Sequence, residues 1–156
     1  MHFKGHKHCW KKTIKMAIEQ PVFEGRKRDL MPVTVERIEP HIYVSTYSSH
    51  PSIKEIIDAI EERKAIADAH QENYYVSLAD LTHFKMIPFD LGKIRRAAAS
   101  DTRVVRSLLV GASLQIRVLV ASFQGLLGLN PELFETMDPA LERARQLLSA
   151  RGKTSR

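Results

Sequence analysis

One pattern constrains this chain more than any other. From Val33 onward, short β-branched stretches take turns with stripes of helical spacing. Residues 33–38 and 42–47 are rich in Val, Ile, Thr and Tyr, as strands are. Only Glu39, Pro40 and His41 separate them, a connection too short for anything but an antiparallel hairpin. Ser48 to Pro51 break the pattern. Ser52 with Glu55 three residues later then forms a capping box, and Ile53, Ile56, Ile57 and Ile60 recur at i, i+3, i+4 and i+7. That spacing predicts a helix to about residue 69.

The alternation continues. Residues 74–81 read as a third strand, and residues 89–98, behind Pro88, as a short helix with Leu91, Ile94 and Ala98 on one face. Residues 104–111 form a strand with few polar breaks, the pattern of a strand covered on both faces. Ser113 caps the next helix, whose stripe is Ile116, Leu119, Val120, Phe123 and Leu127, with Gly125 and Gly128 at its end. Residues 133–136 make a last short strand. Asp138 and Pro139 then supply an N-cap and a first-turn Pro for a helix lined by Leu141, Ala144 and Leu148. The order is β-β-α-β-α-β-α-β-α. It predicts an α/β fold with a mixed, mostly parallel sheet, an antiparallel N-terminal hairpin at its edge and helices packed on it.

Charge separates the ends from the body. Lys4, Lys7, Lys11, Lys12, Lys15, Arg26, Lys27 and Arg28 face only Glu19, Glu24 and Asp29 in the first 30 residues, so nearly all of the net charge of +6 lies there. Residues 1–31 are therefore expected to be a basic, disordered extension, 32–150 a single domain and 151–156 a basic tail. Met31 is a candidate translation start. The near-neutral body lacks the clustered basic face of a nucleic-acid-binding domain, and no specific nucleic acid is expected. The early lysines interrupt the place where the apolar core of a secretory signal would sit. No run of 18 uncharged apolar residues occurs, so no transmembrane segment is expected. One cysteine in 156 residues excludes an internal disulfide and fits a reducing, cytoplasmic setting. His2, His6, His8 and Cys9 are metal-ligand types, but zinc sites draw on two spaced pairs and there is no second pair here.

Chemistry-bearing patterns are sparse. Gly111-Ala112-Ser113-Leu114-Gln115 stops one residue short of the G-x-S-x-G nucleophile elbow. The last histidine, His83, precedes Ser113, whereas in that fold the base follows the nucleophile. Ser113 reads as a helix cap. Asp80 at a strand end and Asp90 at a helix start could converge as an acid–base pair, although both positions also suit turns and caps. No glycine-rich phosphate loop is present, and His41, His50, His70 and His83 stand singly. No enzyme, cofactor or metal is expected. Parallel sheets bind ligands beyond the carboxyl ends of their strands. Here that rim would carry Asp80, Thr82 and Phe84 from one strand and Ser113 from the next. The connection holding Met86, Ile87 and Phe89, unusually apolar for a loop, would lie over it, with Asp90 behind.

Three stretches carry a family resemblance. Val76-Ser77-Leu78-Ala79-Asp80-Leu81-Thr82 resembles the central strand of the STAS domain of anti-sigma-factor antagonists. Val105 to Ser113 with Arg117 and Phe123 resembles the strand leading into that family's third helix, and residues 134–141 resemble its closing Phe-x-x-x-Glu-Ala-Leu element. The chain is most similar to stand-alone bacterial proteins of this fold, sometimes grouped with lipid-binding SEC14-type domains. Antagonists carry a phosphorylated Ser or Thr before the second helix. The corresponding stretch here, Ile87-Pro88-Phe89-Asp90-Leu91-Gly92, has Pro and Phe at the hydroxyl positions, so that switch is not expected. The resemblance implies a non-enzymatic regulatory module that docks a protein partner, such as a regulatory kinase or an anti-sigma-like protein, through residues 82–91. A homodimer is compatible with it. The alternative is a small apolar ligand or lipid-binding module of SEC14-like type, which requires a dry cavity between sheet and helices.

Overall fold

The computed structural model describes residues 33–86, 90–127 and 130–154. Residues 1–32, and with them the expected basic extension and the His/Cys cluster, lie outside the described residues. So do Ile87 and Phe89. The element order is β1 (Thr34–Glu39), β2 (Ile42–Thr46), α1 (Ile53–Ala69), β3 (Tyr75–Asp80), α2 (Leu91–Ala99), β4 (Val104–Val110), α3 (Leu114–Leu127), β5 (Glu132–Phe134) and α4 (Met137–Thr154). The strands lie side by side in chain order. β1 and β2 run antiparallel and every later neighbour pair is parallel. The expected α/β architecture, hairpin edge included, is the one found.

Each parallel step is a crossover of one hand, so α1, α2 and α3 fall on one face of the sheet. Strand alternation supplies that face with Tyr47, Ala79 and Leu109. The helices meet it with Ile56 and Ile60, with Ile94 and Ala97, and with Ile116 and Val120. The other face offers Ile42, Val44, Val76, Leu78, Leu108 and Val110, and among the described residues α4 alone covers it, bringing Ala140 and Ala144 against the strands. Small side chains there let the helix lie close. Each fully buried aliphatic contributes roughly 1.5–3 kcal/mol, so this six-residue face is a main source of stability.

Local chemistry sets the boundaries. The Ser52 side chain accepts from Glu55 N at 3.2 Å and Ser52 N donates to Glu55 Oε2 at 2.7 Å, the expected capping box at the start of α1. At its other end Gln71 N donates to Asp68 O and Glu72 N to Ala67 O, a Schellman closure with Gln71 at φ 56°. Pro40 and His41, the latter at φ 66°, turn the hairpin as a Pro-led turn does when its next residue is left-handed. α4 starts at Met137, earlier than the Asp138 cap predicted. Met137 packs on the core, and Asp138 and Pro139 fall instead in the first turn, where a carboxylate suits the helix dipole and a missing N–H costs nothing. The same helix continues to Thr154, past the expected domain end at residue 150. β4 has a parallel neighbour on each side, but of this strand, expected to be covered on both faces, only Leu108 and Val110 are fully buried.

Candidate functional site

The carboxyl rim of the parallel strands is tightly tied. Beyond the strand ends, Tyr47 N donates to Asp80 O, Leu81 N to Val110 O and Gly111 N to Phe134 O at 2.8–3.1 Å, so four strands are linked at the rim. Asp80 Oδ1 accepts from Thr82 N at 3.0 Å and Thr82 Oγ1 at 2.6 Å, closing an Asx turn. Gly111 sits beneath it at φ +66°. A Cβ there would lie 2.4 Å from Thr82 Oγ1 and 3.0 Å from Thr82 Cα, so this crossing requires glycine.

The predicted site residues separate into three groups. Asp80, Thr82 and Ser113 are on the rim, and Ser113 Oγ accepts from Ile116 N at 3.4 Å as the first-turn cap of α3. Asp90 is the N-cap of α2. Its Oδ1 accepts from Lys93 N at 3.2 Å, and Lys93 beside it holds its carboxyl below the usual Asp range. Asp80 and Asp90 thus bond to separate groups and each does capping or turn work. Phe84 is buried, edge-on to Tyr47 at 6.1 Å, within the core under α1 and α3. Met86, two residues on, is 54% exposed.

Two further large apolar residues are exposed on α3. Leu114 and Val118, one turn apart on α3, are 76% and 58% exposed. They fall off the Ile116/Val120 stripe that packs on the sheet, so α3 is apolar on two sides. The signal was available in sequence as an i, i+4 pair outside the stripe.

The opposite end of the sheet holds two buried carboxylates that periodicity does not reveal. Glu72, carried into the interior by the Schellman turn, accepts from Arg37 Nη2 at 2.6 Å, His41 N at 2.9 Å and Tyr43 Oη at 2.5 Å. Burial opposes its ionisation, but Arg37, Tyr43 and His41 outweigh burial and lower its pKa. Asp101 accepts from Tyr75 Oη at 2.5 Å and from Arg103 Nε at 3.0 Å. Burial again opposes ionisation, and Arg103 and Tyr75 still bring this carboxyl down to about 2. Burial, with a smaller push from Asp101, raises the Tyr75 hydroxyl to about 12. These tyrosines occupy the helix-covered face, where each hydroxyl needs a polar partner.

Between the sheet and α1, α2 and α3 lies a half-open cleft of about 210 Å3, walled chiefly by Ile60, Ala79, Ile94, Leu109 and Val120. It adjoins a second cavity of about 500 Å3 that includes Arg95, Asp101 and Arg106. Arg63, Ala98 and Ser107 line both. Among the described residues no three His, Cys, Asp or Glu side chains gather as metal ligands, and no helix is long and apolar enough to cross a membrane. No protein-family model matches the chain, and no curated protein matches it.

Proposed function

We propose that this chain is a non-enzymatic regulatory module of STAS type that docks a protein partner, of the regulatory-kinase or anti-sigma class, at the carboxyl rim. The observation that carries the reading is the exposure of Met86, Leu114 and Val118 on the rim loop and first turns of α3. Large apolar side chains left in water, as Leu114 and Val118 are one turn apart on α3, are typical of a docking surface. The test is a pull-down with the tagged full chain from its own cells. A Leu114→Lys, Val118→Lys variant should retain its circular dichroism spectrum and lose a kinase or anti-sigma-like partner that the parent chain and a Lys54→Ala control both recover. Retention of that partner by the variant, or its absence from the parent sample, overturns the reading.

A second reading, a small-ligand module of SEC14-like type, is favoured by one specific observation. The apolar cleft of about 210 Å3 lies between sheet and helices, where such a module needs it. An apolar cavity of roughly 150 Å3 already takes up benzene, so a cleft of about 210 Å3 has room for a larger apolar body.

A further inference from the structure

We propose that the ligand of this cleft is an organic anion, with its apolar body against Ile60, Ile94 and Leu109 and its oxyanion head held by Arg63 and Arg95. The proposal rests on the small-ligand reading above and adds the chemical class. It begins with Arg63. This residue sits on the core-facing stripe of α1 and is only 6% exposed. Its Nε donates to Tyr75 Oη at 3.2 Å and its Nη1 to Ser77 Oγ at 2.8 Å. Both acceptors are neutral hydroxyls. Among the described residues no carboxylate approaches Arg63 within ion-pair distance, although nine other Lys and Arg side chains find one.

A guanidinium buried without an anion is costly, and buried charges are normally paired, so Arg63 stands ready for an anion that the fold does not supply. The nearest protein candidate is occupied. Asp101 reaches Arg63 only through the Tyr75 hydroxyl and is itself held by Arg103 from Nε, Nη2 and the backbone N. The position of Arg63 strengthens the argument, because it lines both the apolar cleft and the adjoining cavity. The wall of that cavity contains three arginines against the single, already paired carboxylate of Asp101. Arg106 is partly committed, 3.6 Å from Glu132 and bonded to Asn130 O. Arg95, exposed on α2, has no ion pair among the described residues. Apolar space therefore ends at a cationic one, with Arg63 at the junction. That order matches an amphiphile with a carboxylate or phosphate head, which a guanidinium fork can grip through two N–H groups. It does not match a neutral oil.

The test is titration calorimetry on the full chain with four probes: octanoate, octyl phosphate, octanol and inorganic phosphate. Octanoate or octyl phosphate should bind, and the stronger of the two identifies the head group. Octanol should bind at least about tenfold more weakly, the loss expected for a charged hydrogen bond. Inorganic phosphate alone should not bind measurably. Arg95→Gln, at an exposed position where the fold tolerates change, should weaken the acid by about tenfold and leave octanol unaffected. Arg63→Gln should do the same where its circular dichroism spectrum is native. If octanol binds as tightly as octanoate and Arg95→Gln is silent, the anion proposal fails while the cleft remains a ligand site. If inorganic phosphate binds as tightly as octyl phosphate, the amphiphile is excluded. If no probe binds, the proposal and the small-ligand reading fall together.

Discussion

Gly111 shows how much a single backbone position decides at the rim. Its φ of +66° and its approach to Thr82 are separate demands, and a methyl group fails both. Gly111→Ala should destabilise by about 2–4 kcal/mol, from left-handed strain plus displacement of the Thr82 backbone. Urea denaturation of the single variant and of Gly111→Ala with Thr82→Ala divides the two demands. The double variant should recover only the part due to the Oγ1 clash at 2.4 Å. A single variant as stable as the parent removes the claim. Residue-scale chemistry was legible in sequence where a side chain acts on its own neighbours. Ser52, Asp90 and Ser113 all cap the helices expected of them. It was illegible for Phe84. One aromatic in a loop has no period to declare its face, and Tyr47, 37 residues earlier in the chain, is what buries it.

Elements were readable to the extent that their periods were clean. α1 matches its expected bounds because the isoleucine stripe and the capping box agree. α3 hid its second apolar side because Leu114 and Val118 look like extra core residues until the strands beneath are known. The buried stripe of α1 also contains Arg63, a position that spacing alone assigns to an apolar residue. The exit of α1 makes a further prediction. Gln71 occupies the left-handed position that closes the helix, where glycine has no steric cost. Gln71→Gly should raise stability by up to about 1 kcal/mol, seen as a higher urea midpoint at unchanged slope. A lower midpoint would mean that the Gln71 side chain does work the backbone does not show.

At the scale of the whole molecule, acid sensitivity follows from the two interior carboxylates. Both are held below their ordinary values, Asp101 at about 2 against 3.8. A lowered carboxyl stabilises the fold above its unfolded pKa, and that contribution disappears as pH falls through the folded one. Stability should therefore decline between about pH 4 and pH 2, with Asp101 responsible for on the order of 2 kcal/mol. Urea midpoints measured across that range should show the decline, and Asp101→Asn should be less stable at pH 7 and flatter with acid. Equal slopes for parent and variant would exclude Asp101 as the source. The element order and the mostly parallel pairing were legible at this scale because alternating elements leave few topologies. The polar networks were not, since Glu72 meets Arg37 from 35 residues away. The placement of α4 has one more consequence. The face made by Ile42, Val44, Val76, Leu78, Leu108 and Val110 waits for the element that follows all five strands, and Arg145 of that helix pairs with Glu39 of the first strand. Among the described residues, nothing covers that apolar sheet in a nascent chain until Ala144 emerges, and that interval is when a chaperone has most to shield.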